Sequence, residues 1–460
     1  MFRIKHTRVI SALLVLVMLF SLAACKKTAQ QGGTDPSAAP TDDHTASVTE
    51  SANETTGPDP TEPAKATPAP VDYDPADDFQ NRFGSPNGCS IWENDEMLLF
   101  SPEHDYYYIG YYDKAADVYG VLCGKPECVH DHINKNKDCN GYAQVCAHLG
   151  SMNGRICFVA KNSDANPWYY ALYSMNPDGT NRREEVRIPD QEETGSVQQF
   201  YLHRGYVYMC ADVQDVAGGE PKDYARFSRI NVRTGEFEIV YENREMMTSA
   251  GMSFVGNGIF IYNSTLVNGS GARNLILRFD AVTGQIRTMY DNVVQDYFGN
   301  TIFRMWVDEN ENVYFTTGQK EGVAAVVYKL DVNGNAKPCM DFADDDILYD
   351  CAVLSGDIAL AIGAPEGGDP RAFWIWVRDL EGNTLFKGEF PQTEFLKELG
   401  IEQKYSISDF MGDRNAIYVC FTDADNSEEK WNTTPILGVV RYDVVSPTEL
   451  SGHFVYKSMD

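Results

Sequence analysis

Residues 258–285 read GIFIYNSTLVNGSGARNLILRFDAVTGQ, and this stretch decides the fold. An apolar strand starts at Gly258. A second strand, LILRFD, ends at Asp280 and runs into the tight turn AVTGQ. Glycine in such a turn allows a positive φ, and an Asp or Asn at its start can accept hydrogen bonds from the backbone two residues on. The same ending recurs in YYIGYYD at Asp113, ALYSMN at Asn176, RFSRIN at Asn231, VVYKLD at Asp331, FWIWVRD at Asp379 and GVVRYD at Asp443. A second mark keeps phase with it. Strands open at Gly154, Gly205, Gly258, Asn312, Gly356 and Asn415, and MLLF opens the first unit at Met97. A further short strand precedes each opening, as in SFVGN, FRMWVDE and YDCAVL.

Each unit therefore holds four strands, a to d. Seven units at a period of about fifty residues predict an all-β chain folded as a seven-bladed β-propeller. Six or eight blades, or a pair of two-sheet sandwiches, are the architectural alternatives. The strand–Asp–x–x–Thr–Gly–strand unit resembles the repeats of quinoprotein-like and TolB-like propellers. That likeness rests on turn chemistry and implies a fold without an activity.

The N-terminus gives an address. Arg3, Lys5 and Arg8 precede an apolar run from Val9 to Leu22, too short for a comfortable membrane span and suited to a signal segment. Leu22-Ala23-Ala24-Cys25 at its end resembles the lipobox of bacterial lipoproteins. The resemblance implies removal of residues 1–24 and lipidation of Cys25. Such a chain is held at the outer face of the cytoplasmic membrane, on a Gram-positive-type cell surface. Each buried methylene of an acyl chain contributes roughly 0.8 kcal/mol, so two or three chains give a lasting anchor. Residues 25–78 then read as a lipidated N-terminus and a disordered acidic Ser/Thr/Pro linker, with too little apolar content to offset the entropy of ordering. Residues 79–460 are left for the propeller.

The formal net charge of the whole chain is −29. That balance argues against nucleic acid as a partner and against a chain lying flat on anionic lipid, since both need basic surface.

The most site-like segment is LCGKPECVHDHINKNKDCNGY, residues 122–142. Cys123, Cys128, His130 and Cys139 could complete a tetrahedral shell around one structural zinc, with His132 as a spare donor. A disulfide is the competing reading for a chain outside the membrane, with Cys146 or Cys89 as an extra partner. Free thiols are the third. Similar C-x4-C-x-H-x8-C segments occur in surface lipoproteins of Firmicutes-like bacteria that also look like propellers. The likeness brings no activity. Cys157, Cys210 and Cys420 read as small buried hydrophobes of b strands.

Long b–c connections are expected at NSDANPW, DVQDVAGGEPKDY, NSTLVNGSGAR, GAPEGGDPR and TDADNSEEKWNTTP. In a propeller the b–c and d–a connections open on one face, and long loops concentrate binding. Trp168, Tyr169, Tyr224 and Trp431 lie on or beside them and could stack on a sugar or a protein partner. No HExxH, GxSxG or P-loop pattern is present. Asp344–Asp346 and the run from Asp308 to Asn312 read as solvated turns in preference to calcium sites. The leading functional reading is a non-catalytic module that binds a glycan, peptide or protein. The alternatives are a glycan-active lyase or hydrolase at the channel mouth and a scaffold in a cell-envelope complex.

Overall fold

The computed structural model describes residues 90–457, apart from 102–107, 131–135, 144–145, 191–193, 216–221, 268–269, 296, 298, 319, 321, 366–372, 401–404 and 424–435. The signal segment, Cys25 and the linker lie outside the described residues. Among those described, the chain forms seven four-stranded antiparallel sheets, each in simple sequential order. These are blades 1 to 7 of a β-propeller. They run Ser90–Val121, Cys146–Arg187, Ser196–Asn243, Met247–Val294, Ile302–Asp341, Ile347–Glu389 and Tyr405–Lys457. Strand a of one blade touches strand a of the next between blades 1 and 2, 2 and 3, 4 and 5, 5 and 6, and 6 and 7, which puts these strands innermost around the channel.

The residue that ends strand c caps the c–d turn. Asp280 Oδ1 accepts from the N–H groups of Val282 and Thr283 at 3.1 and 2.8 Å. Asn231 does the same for Arg233 and Thr234, and Asp331 for Asn333 and Asn335. Gly284 completes its turn at φ 71°, a conformation that a side chain would strain.

A cation just before that cap joins neighbouring blades. Arg229 of blade 3 is 2% exposed, pairs with Glu238 at 2.8 Å and donates to the Ala281 carbonyl of blade 4. Arg278 of blade 4 grips Glu311 of blade 5 at 2.6 Å. Arg441 of blade 7 reaches Glu93 of blade 1 at 2.8 Å, and Lys114 meets the same carboxylate at 2.6 Å. This last pair closes the ring. Beneath it Ile91, Leu98, Phe100 and Tyr112 of blade 1 meet Met411, Tyr418, Cys420, Val439 and Val455 of blade 7. Both blades are built from consecutive strands, so packing and ion pairing close the ring without strand exchange.

Three details differ from the sequence reading. The b–c connections of blades 3 and 4 are shorter than expected. Asp212–Asp215 and Asn263–Val267 continue strand b, with Asp215 opposite Lys222 and Val267 opposite Gly271. Alternating side chains at those positions suit a longer pleat. A short helix, α1 (Thr393–Glu398), interrupts the passage from blade 6 to blade 7, with Phe395 against Tyr442 at 5.5 Å. The third is a bulge that the repeat pattern did not disclose. In blades 2 to 7 strand a carries one extra residue near its start, immediately before His148, Gln199, Ser249, Arg304, Cys351 and Asp409. A bulge opposes two residues to one and re-aims the side chains there.

Two of these side chains reach the next blade. Ser249 Oγ donates to the Ile302 carbonyl at 2.6 Å, and His148 Nε2 accepts from the Leu202 N–H at 3.1 Å. The asparagine and aspartate turn at 308–312 is closed on itself: Asp308 accepts from the backbone of Asn310 and Asn312. Asp344 likewise caps its own loop and pairs with Lys387. Both behave as the solvated turns that the sequence suggests.

Two predictions follow from these contacts. Arg441→Met leaves the Glu93 carboxylate at the ring closure with Lys114 alone and should cost about 1 kcal/mol, at the upper end for an exposed pair and well short of stranding a buried charge. A denaturant titration reads this as an earlier midpoint, with an unchanged midpoint as the contrary result. The second concerns acid. Burial holds the His148 imidazole down at about 4. Its neutral form is the one that accepts from Leu202. The unfolded imidazole takes a proton near its ordinary value of about 6.5, so stability is complete above that pH and drains away as pH falls towards 4. His148→Gln should flatten the stability–pH curve over that window. An identical slope in the variant would assign the loss to other groups.

Candidate functional site

The segment between strand d of blade 1 and strand a of blade 2 folds back into two tight turns. The Cys128 N–H donates to the Lys125 carbonyl and the Cys139 N–H to the Asn136 carbonyl, each at 3.1 Å. The first turn carries Cys123, Cys128 and His130 and the second carries Cys139. Their donor atoms all lie within 4.8 Å of one another. Bonds of about 2.3 Å to a tetrahedral metal set donors about 3.8 Å apart, so small side-chain rotations complete a shell.

The surroundings explain why the four converge. Cys139 is 1% exposed and sits in a small cluster with Tyr108 and Tyr142. The Tyr108 ring lies edge-on to the His130 imidazole at 5.8 Å, and its hydroxyl accepts from the Asn136 N–H at 2.8 Å. Asn136 Nδ2 donates to Cys128 Sγ at 3.3 Å, the kind of outer contact that steadies a thiolate. The His130 Nε2 atom is buried with no hydrogen-bond partner. A buried polar atom left so is costly, and a metal would satisfy it.

The sulfur electrostatics point the same way. Burial pushes the Cys123 thiol up, but the His130 imidazole and the backbone N–H groups of Lys125 and Asn140 outweigh it and bring it down to about 6. Burial and the neighbouring Cys123 push Cys128 and Cys139 up. The cluster thus begins with one thiolate that a cation would join, and a cation would draw the protons from the other two. All three cysteines are unbonded, so the disulfide is not formed here. His132 lies outside the described residues. Among the described residues this is the only grouping of three or more His, Cys, Asp or Glu donors able to hold a metal.

The knuckle is seated on blade 2. The Gly124 N–H donates to the Gly179 carbonyl at 3.3 Å, Asn140 Nδ2 to the same carbonyl at 2.7 Å, and Arg182 to the Tyr142 carbonyl. Lys137 pairs with Asp164. Gly179 has φ 73°, and a Cβ there would stand 2.8 Å from the Gly124 nitrogen and 2.9 Å from the Cys123 Cα. The c–d turn of blade 2 is therefore shaped to let the first ligand loop lie against it.

The aromatic residues fall out differently. Trp168 is 40% exposed, with Lys161 Nζ 4.0 Å from its ring centre and Tyr170 edge-on at 5.9 Å. Tyr169 is partly covered by Arg187 at 3.8 Å, and its hydroxyl engages Glu184 and Asn162. Tyr224 is 4% exposed and hydrogen-bonded to Glu242, so strand pairing has buried the ring that the sequence placed on a loop. Trp431 lies outside the described residues. Cys157, Cys210 and Cys420 are buried in b strands as read.

No family model matches the chain, and neither does any curated protein sequence. Solved structures match at the level of the fold. An acylaminoacyl peptidase from Pyrococcus horikoshii is 9% identical with a TM-score of 0.43, over 80% of this chain and 52% of its own. An oligogalacturonate lyase in complex with manganese is 12% identical with a TM-score of 0.41, over 81% of this chain and 96% of its own. The chain spans about half the length of the peptidase.

Gly179→Ala should loosen the knuckle without touching a donor. We expect metal retention after dialysis against a chelator to fall well below that of the parent, and to vanish in Cys139→Ser. Elemental analysis reads both. Full retention in Gly179→Ala would show that the turn does not seat the ligand loop.

Proposed function

We propose that this protein is a lipid-anchored, extracytoplasmic propeller that recognises a glycan, peptide or protein partner on the face where its b–c and d–a connections open, with one structural zinc at Cys123, Cys128, His130 and Cys139. The closure of the knuckle is the observation that carries the structural role. Four donors face one another, with Tyr108, Asn136 and Tyr142 packed around them. A catalytic metal keeps an open position, and this donor set fills a tetrahedron by itself. Three sulfurs with one imidazole suit zinc among the common divalent ions. The zinc braces the passage from blade 1 to blade 2 and takes no part in chemistry.

Lipidation of Cys25 and residence at the outer face of the cytoplasmic membrane rest on the lipobox-like sequence. The exposed Trp168, beside Lys161, supports a recognition surface on the b–c side of blade 2. Indole with a neighbouring ammonium is a combination that stacks on sugar rings or on peptide side chains.

A glycan and peptide array probed with the full chain, run beside a turnover assay on whatever binds, tests the recognition reading. Binding without turnover, weakened about tenfold or more by Trp168→Ala, is the expected result. Turnover would replace binding by the lyase or hydrolase reading. Metabolic labelling with a fatty acid should mark the parent and leave Cys25→Ala unlabelled. X-ray absorption should give zinc–sulfur distances near about 2.3 Å and one nitrogen near about 2.0 Å.

A further inference from the structure

Six of the seven blades place a bulge near the start of strand a, at the end where the long connections meet the channel. The residue after the bulge is polar or a thiol in every case. In blade 2 it is spent on the next blade's backbone, through His148 and Leu202. In blade 4 it is spent the same way, through Ser249 and Ile302. In blade 3 the amide oxygen of Gln199 accepts from the Tyr201 hydroxyl at 2.9 Å.

Blade 5 breaks the pattern. Its residue is Arg304, 9% exposed, and among the described residues its guanidinium has no hydrogen-bond or ion-pair partner. Its Nε is buried without a partner, and the group rests only against the ring of Phe303 at 4.9 Å. The charge is felt across the channel: it acts on Tyr201 of blade 3, Tyr262 of blade 4 and Cys351 of blade 6, in each case against the upward push of burial.

One more donor beside it is unsatisfied. Thr316 stands directly opposite Arg304 on strand b, is 2% exposed, and its Oγ1 has no partner. The arginines of the c strands show what this chain does with a guanidinium when the role is structural. Arg229, Arg278 and Arg441 each hold a carboxylate. A buried guanidinium without an acceptor is costly, so a fold that keeps one at a channel mouth has a use for it.

We propose that Arg304, with the hydroxyl of Thr316, forms a binding site for a carboxylate group at the channel mouth. The inference rests on the recognition reading above and narrows its ligand to one that bears a carboxylate. One guanidinium balances one negative charge, and its fork matches the two oxygens of a carboxylate. A phosphate dianion would ask for a second cation, which no described residue supplies beside Arg304.

The test uses the full chain and simple anions, so it needs no knowledge of the natural partner. Thermal unfolding is followed with acetate, phosphate or chloride at fixed ionic strength. Acetate should raise the midpoint by about 2 °C or more over chloride as it saturates the site. Arg304→Met should abolish that rise. It should also unfold no earlier than the parent without acetate, because it removes an uncompensated buried charge. No rise in the parent, or an equal rise in Arg304→Met, overturns the site. A rise with phosphate alone overturns the carboxylate assignment. Should Arg304→Met fail to fold, Thr316→Val decides: the acetate response must weaken in it, and an unchanged response overturns the site. A null array result would sink the recognition reading while leaving this measurement intact, and the reverse also holds.

Discussion

Every blade of this ring is apolar on both faces, so each one is stable only between two neighbours. The buried side chains are organised by that constraint. Tyr208, Phe227, Ile259, Ile261 and Phe279 make one continuous layer from blades 3 and 4. Leu99, Leu149, Phe158 and Tyr173 make another from blades 1 and 2. A ring built this way has one vulnerable seam, where the last blade must find the first. Here Phe100 and Tyr418 lie under the Arg441–Glu93 pair at that seam. Burial there is non-directional, and the ion pair adds orientation to it.

The parts of this architecture that were legible in the sequence are local ones. Asp280 and Gly284 declare a c–d turn within five residues, because the cap and the positive φ are satisfied by neighbours in the chain. The knuckle was legible for the same reason, since its four donors sit in two turns within seventeen residues. The long first and last intervals between strand-c endings also have local causes. One interval holds the knuckle and the other holds α1 and the connection at 424–435.

Register was not legible. The extra residues of the bulges are Ala147, Gln198, Thr248, Phe303, Asp350 and Ser408, which share no chemical type. A bulge is a property of two strands, and a pattern read along one strand cannot show it. The same limit misplaced Tyr224. Its neighbours read as a polar loop until Val213 is seen opposite it, extending the ladder over both. Arg304 was hidden inside FRMWVDE, where a charged residue reads as solvent-facing in an alternating strand. The bulge directly before it turns that residue towards the channel.

Cations thus appear in this chain in two settings that differ in one physical respect. Those near the end of strand c are neutralised by a carboxylate, across a blade boundary for Arg278 and Arg441 and within blade 3 for Arg229, and each reaches the next blade. Arg304 sits near the start of strand a, and its Nε has no hydrogen-bond partner among the described residues. The knuckle makes the same distinction with sulfur. Cys157, Cys210 and Cys420 are buried in three separate apolar strands, and Cys123, Cys128 and Cys139 could hold a metal because two turns oblige them to share one space. In both cases residue type alone does not assign the role. What assigns it is whether the fold supplies a partner.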